Sequence, residues 1–148
     1  MTKDKLKKIL VAHAAWLSAH GGKRANLSWT DLRWADLRCA NLKHGDLSHA
    51  DARHADFSTA DLRWANLSHT DLSHTDLSHA DARNADLSHA DARNADLRWT
   101  NLSRADLSHT DLRWANLSHT DLSHTDARNA DLRHADARNA DLRWTNFS

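Results

Sequence analysis

The chain has 148 residues, contains no glutamate or proline, and carries a formal net charge of zero at pH 7. Residues 25–148 hold 14 basic and 19 acidic residues, a net −5, which disfavours nucleic-acid binding because phosphates are neutralised by clustered lysine and arginine. One cysteine, Cys39, excludes an internal disulfide and suits a reducing compartment, so we expect the protein to be cytoplasmic. No apolar stretch approaches the length of about 20 residues that spans a membrane, and we expect no membrane partner.

Residues 1–24 are basic, with six basic residues and one acidic residue, a net +5, and end in Gly21-Gly22. Apolar residues recur at helical spacing, which predicts an amphipathic helix closed by a glycine turn. We expect this first domain, residues 1–24, to cap the exposed edge and lumen of the second domain, residues 25–148. A signal peptide and a membrane-surface helix are weaker alternatives, because His13 interrupts the apolar run. The predicted docking residues of the cap are Leu6, Ile9, Leu10, Trp16 and Leu17.

From Ala25 to Ser148 the chain repeats every five residues for 25 units. Each unit has a small residue, then Asp or Asn, then an apolar centre, then two variable positions. This period is neither the 3.6 of a helix nor the 2.0 of a flat strand, and it is typical of a solenoid. We expect the Asp or Asn to bond its own backbone at a corner, and the small residue and the centre to point inward.

The centres therefore form the predicted core, with Ala replacing a larger residue at five of them. The larger core residues are Leu27, Leu32, Leu37, Leu42, Leu47, Phe57, Leu62, Leu67, Leu72, Leu77, Leu87, Leu97, Leu102, Leu107, Leu112, Leu117, Leu122, Leu132, Leu142 and Phe147.

The pattern over residues 25–148 resembles the pentapeptide repeat family. The resemblance implies an all-β solenoid, a right-handed quadrilateral β-helix with four units per coil, and thus about six coils behind the N-terminal α-helical cap. Residues twenty apart then lie directly above one another, roughly 4.8 Å apart. Glycine, which is frequent at the last position in relatives, is absent there; Asn84, Asn94, Asn129 and Asn139 suit any corner that needs positive φ.

The last position of each unit faces outward and varies most. One predicted column holds His49, His69, His89 and His109, whose imidazoles are weak candidates for adventitious transition-metal binding. We expect no biological metal site and no cofactor. Because histidine titrates near pH ~6.5, we expect lower stability at about pH 5 than at about pH 7.5. The six outward Trp residues are scattered over all four faces, which favours stacking within columns over a binding groove.

No catalytic set stands apart from the repeat, and Ser and His neighbours in one unit point apart. We therefore interpret the chain as a non-enzymatic structural or interaction scaffold. The resemblance implies one alternative, a DNA mimic that inhibits or protects a type II topoisomerase such as DNA gyrase. That activity needs a strong negative field, yet arginines flank five of the six members of the longest acidic column. This column is Asp31, Asp51, Asp71, Asp91, Asp111 and Asp131.

Two further expectations concern origin and assembly. The restricted set of unit sequences favours a designed or idealised protein with no biological ligand, whereas Cys39, Gly45, Thr59 and Arg104 are irregularities more natural to drift. The last coil has an open edge and lumen, and exposed edges pair. We therefore predict a homodimer through the C-terminal coil.

Overall fold

The computed structural model describes residues 1–148, and its one helix, α1, spans Lys3–Leu17. Thr2 caps α1, with its side chain accepting a hydrogen bond from the Lys5 amide. The helix is followed by Gly21 and Gly22, both at positive φ. A Cβ at Gly22 would overlap the Ala12 carbonyl oxygen, so only glycine fits where the chain turns back along the helix. Neither the length nor the polarity of α1 suits a membrane-spanning helix.

The rest of the chain is wound with a step of twenty residues. Parallel β-bridges join the Asp or Asn of each unit to its counterpart four units later, from Asn26–Asp46 to Asp126–Asn146. Each unit contributes a single bridging residue rather than a long strand. Around Leu97, for example, the Leu97 amide donates to the Asn116 carbonyl at 2.8 Å and the Trp99 amide to that of Ser118 at 3.2 Å. These bonds stack four faces of units along the axis.

Every corner uses the same β-turn. The amide of each small residue donates to the carbonyl of the preceding centre, as Thr100 does to Leu97 at 3.2 Å. The third residue of the turn has φ between 55° and 64° in all 24 complete units, including those with Trp, His, Thr and Arg. Positive φ at this place is the mark of a type II turn and normally favours glycine. The corner geometry therefore does not depend on the asparagines that suit it best.

The Asp or Asn of every unit accepts a hydrogen bond through Oδ1 from the amide two residues later, as predicted for a corner. In the Asp111 unit the Arg113 amide lies 3.1 Å from this oxygen. The bond holds the backbone as it enters the turn. Because asparagine supplies the same oxygen, it replaces aspartate without loss of the bond.

The core is the lumen of the solenoid, filled by the centres and by the small residues between them. The centres from Leu27 to Leu122 are buried, as is Ala127. Three predicted core residues at the C-terminal end are corrected by the structure: Leu132 is only half-buried, and Leu142 and Phe147 are 43% and 49% exposed. These side chains point inward, but they are not fully buried because no further coil covers them in this structure.

Helix α1 lies against the first coil through a face centred on Leu6 and His13, both buried, with Ile9 and Leu10 packed on the core. Leu17 is half-buried. Trp16 is 39% exposed and does not pack on the core, but its ring meets the edge of His44 on the first coil, with centroids 6.4 Å apart. Its ring also stacks on that of His13, with centroids 5.6 Å apart.

Candidate interaction surface

The outward faces are dominated by ion pairs within single units. Where arginine follows the centre, its guanidinium turns back onto the aspartate two residues earlier, with Nη2 to Oδ2 distances of 2.5–2.8 Å in twelve units. A second nitrogen, Nε, bonds Oδ1 of the same carboxylate, as Arg113 does to Asp111 at 2.9 Å. Paired contacts of this kind are among the stronger charge-assisted hydrogen bonds.

Several of these arginines also reach the carboxylate on the next coil. Arg33 Nε lies 3.5 Å from Asp51 Oδ2, and Arg53 Nε lies 3.5 Å from Asp71 Oδ2. The acidic column that begins at Asp31 is thus interleaved with guanidinium groups along most of its length. Its carboxylates are neutralised locally rather than left to project a negative field.

The arginines also shift the proton affinity of the carboxylates. Hydrogen bonds from Arg133 and Arg143 hold the pKa of Asp131 and Asp141 at about 2. The Arg38 guanidinium does the same to the pKa of Asp36, again to about 2. Because an ion pair favours the charged form of a carboxyl group, these aspartates stay ionised well below their usual range. None of them is suited to take up a proton as a general base near neutral pH.

Where serine follows the centre, there is no ion pair, and the serine hydroxyl can hydrogen-bond the Asp or Asn at the corner. Ser103 Oγ donates to Asn101 Oδ1 at 2.7 Å, and Ser68 Oγ donates to Asn66 Oδ1 at the same distance. In most Leu-Ser-His units the serine hydroxyl therefore donates its proton to the corner oxygen; Ser78, Ser108 and Ser123 bond that oxygen through the backbone amide alone. The serine forms no nucleophile and base pair with the adjacent histidine.

The last positions form stacked columns of rings. His49, His69, His89 and His109 lie in one column with successive centroids 4.7–4.8 Å apart and ring planes within 3° of parallel. Trp29 continues it, 4.0 Å from His49. The predicted stacking of Trp within the columns is present on all four faces, and the exposed indoles do not converge on one groove.

The histidine column is a poor metal site as it stands. Two nitrogens bound to one zinc ion, each at about 2.0–2.1 Å, lie at most about 4.2 Å apart. The ring centroids are farther apart than that, and the structure gathers no group of three His, Cys or Asp side chains able to hold an ion. Metal binding by these histidines would require the column to distort.

Threonine in the small position has a role that steric reasoning missed. In six units its hydroxyl donates to a centre carbonyl of the coil below, as Thr120 does to Leu97 at 2.6 Å and Thr100 to Leu77 at 2.7 Å. Thr30 and Thr75 donate instead to the centre carbonyl of their own turn. Thr100 and Thr120 are buried, so an unmade bond there would be costly. The sequence did carry a signal for this bond, since Thr is the only hydroxyl residue found at the small position.

The folded chain is therefore a β-solenoid of five-residue units with an ion-paired exterior. A family model described as pentapeptide repeats matches it in eight copies over residues 25–63, 60–98, 83–118 and 110–148. The chain belongs to the pentapeptide repeat family, which confirms the resemblance seen in its sequence. Members of this family form right-handed quadrilateral β-helices and are generally non-enzymatic scaffolds.

Solved structures with this fold include relatives of differing similarity. The pentapeptide repeat protein alr5209 from Nostoc PCC 7120 is 34% identical, with 68% of this chain and 78% of that chain covered and a TM-score of 0.57. Rfr23 from the cyanobacterium Cyanothece 51142 is 21% identical, with 84% and 88% covered and a TM-score of 0.51. A trypsin-treated variant of QnrB1, a plasmid-mediated fluoroquinolone resistance protein, is 21% identical, with 82% and 72% covered and a TM-score of 0.51. The last two show the fold alone. No curated protein sequence gives a significant match.

Proposed function

We propose that the chain is a non-enzymatic scaffold and that, along the four faces of the solenoid, the last-position residues are the ones free to serve an interaction. The observation that carries this is the internal use of the other polar groups. Asp and Asn bond the corner, Arg bonds Asp, most Ser hydroxyls bond Asp or Asn, and Thr hydroxyls bond a centre carbonyl. An idealised sequence with no biological ligand agrees with this extensive internal use.

A fourfold substitution in one column tests this reading. Asn is already found at last positions and tolerates positive φ, so His49→Asn, His69→Asn, His89→Asn and His109→Asn together should leave the fold intact. We expect an unchanged circular dichroism spectrum and a cooperative thermal transition. A matched control changes Ser48, Ser68 and Ser88, whose hydroxyls bond the corner, to alanine, and should lower the melting temperature more. Unfolding of the asparagine variant at neutral pH would contradict the proposal.

Binding to a type II topoisomerase is the alternative function, supported by the fold shared with QnrB1. The ion pairs along the acidic column weigh against it, because a DNA mimic depends on uncompensated negative charge. A DNA gyrase supercoiling assay with micromolar full-length chain distinguishes the two. No effect supports the scaffold, whereas inhibition, or protection of gyrase from a quinolone, favours the alternative.

We also propose that two chains pair through the C-terminal coil. Leu142, Trp144 and Phe147 are exposed there, and the amides of Leu132 and Leu142 have no coil above them to bond. Light scattering of dilute protein should give twice the chain mass of 16.7 kDa. Leu142→Lys should give a monomer, and Trp29→Lys, at the opposite end, should remain a dimer. A monomeric wild type would overturn the pairing.

The N-terminal domain, residues 1–24, is inferred to cap a β-helix of about six coils, residues 25–148. The buried Leu6 and His13 support this role, as does the packing of Leu10 on the core. The cover is partial, since a groove of about 450 Å³ between α1 and the first coil is lined in part by Leu6, Leu10 and Trp34.

A further inference from the structure

His13 is the one fully buried ionisable side chain in the structure, and it joins α1 to the start of the solenoid. Its Nδ1 accepts a hydrogen bond from the Ala25 amide at 3.0 Å. An amide can only donate, so Nδ1 carries no proton and the neutral ring holds its proton on Nε2. Nε2 is buried and has no hydrogen-bond partner. The bond to Ala25 thus exists only while the imidazole is neutral.

We propose that His13 is a pH-sensitive latch, whose protonation releases α1 from the first coil. A second proton would sit on Nδ1, and two N–H groups would then face each other where the bond to Ala25 had been. The charged ring would also lie in a buried site, which is costly unless a partner of opposite charge is present.

The groups that face His13 offer no such partner. Trp16, on α1 itself, covers the ring with an indole at 5.6 Å. A positive charge on His13 would be repelled by Arg24, in the linker, and by His44, on the first coil. Only a hydrogen bond with the backbone of Lys43 favours the charged ring. The His44 ring also meets the edge of Trp16, with centroids 6.4 Å apart. Neither neighbouring titratable group is a carboxylate.

The sign of the effect follows from these contacts. Burial lowers the pKa of His13 below its ordinary value of 6.5, so the docked helix prefers the neutral ring. Docking is therefore fully favoured above about pH 6.5 and weakens as the pH falls below it, because only the released helix takes up the proton. Between about pH 7.5 and about pH 5, release should become up to about 30-fold more frequent.

Hydrogen exchange of the full chain tests the latch, with His13→Gln as the key variant. Glutamine supplies an acceptor oxygen but does not titrate. After correction for intrinsic rates, exchange of the Ala25 amide and of α1 should accelerate by up to about 30-fold at about pH 5 in the wild type and stay nearly constant in H13Q. His44→Gln is the control that leaves the latch in place, and its acceleration should persist. Equal acceleration in H13Q, or none in the wild type, overturns the proposal.

A second measurement covers the case in which H13Q fails to dock at any pH. The imidazole resonance of His13, identified by its absence from H13Q spectra, is followed by NMR in the wild type. A midpoint below about 6.5 supports the latch. A midpoint at or above that value overturns it, because docking would then be indifferent to acid or strengthened by it.

Discussion

The indole of Trp99 lies against the imidazole of His119 with ring centroids 4.0 Å apart and planes within 4° of parallel. On its other side, His79 is parallel but 6.2 Å away. The asymmetry is general. Where Trp precedes His by twenty residues the centroids are 4.0–4.2 Å apart, and where His precedes Trp they are 5.3–6.3 Å apart. Since the coils advance in one direction, the two orders of stacking are not equivalent.

A double-mutant cycle should detect this order. Trp99→Asn and His119→Asn, combined at about pH 7.5, should show a coupling of about 0.5–1.5 kcal/mol in the free energy of unfolding, as for other stacked ring pairs. The same cycle on Trp99 and His79 should give clearly less, because those rings do not touch closely. Equal coupling energies for the two pairs would mean that the difference in ring separation does not affect stability.

Leu97→Ala should lower the free energy of unfolding by about 2–5 kcal/mol, because the leucine is buried in a middle coil and its loss leaves a cavity. Val11→Ala is the control, since this side chain is 63% exposed on the outer side of α1 and its truncation leaves no closed cavity. Chemical denaturation of both variants provides the comparison. Similar midpoints for Leu97→Ala and the wild type would refute the interior assignment.

Arg104→Gly should stabilise the protein. Arg104 has φ of 61°, a conformation that costs a non-glycine residue about 1–2 kcal/mol, and it makes no ion pair to lose. Part of the gain is offset by the greater freedom of glycine when unfolded, so about 0.5–1 kcal/mol should remain. Ser103→Gly, one residue earlier at negative φ, should destabilise instead. A shift of both variants in the same direction would contradict the strain assigned to the corner.

Asp111→Asn and Asp111→Ala should separate the corner bond from the ion pair. Asparagine keeps the bond to the Arg113 amide and loses the charge, at about 0.2–1 kcal/mol; alanine loses both, at about 1 kcal/mol more. The hydrogen bond from Arg113 lowers the pKa of Asp111. Its contribution is therefore present above about pH 3.9 and is lost as the pH falls through the lower folded value. The gap between wild type and Asp111→Asn in denaturation midpoint should close in strong acid.

Leu6→Asp should test the cap. The charge would be placed in the buried contact between α1 and the first coil, whereas Val11→Asp puts the same charge on the outer side of the helix, where Val11 is 63% exposed. We expect a lower melting temperature or aggregation for Leu6→Asp only. If the two variants melt alike, the helix does not protect the solenoid.

Much of the fold follows from the period of five, which places Leu62 and Leu97 inward and the corner aspartates at the turns. The fate of Leu142 and Phe147 does not follow from it, because their burial depends on a coil above them rather than on their own unit. The bond between His13 and Ala25 was also beyond the pattern, since it joins the aperiodic helix to the first unit. The sequence columns also could not show that Trp99 stacks closely on His119 and not on His79, because this depends on the direction in which the coils advance.

The twenty-residue step also restricts how such a molecule changes length. Insertion of one unit of five residues would move every later residue around by a quarter of a circuit, so that Trp99 and Arg104 would each exchange one side of the rod for the next. Four units inserted together would leave all later side chains on their original sides and merely farther along. Rods of this kind therefore keep the arrangement of their outer side chains only if they gain or lose whole coils of twenty residues.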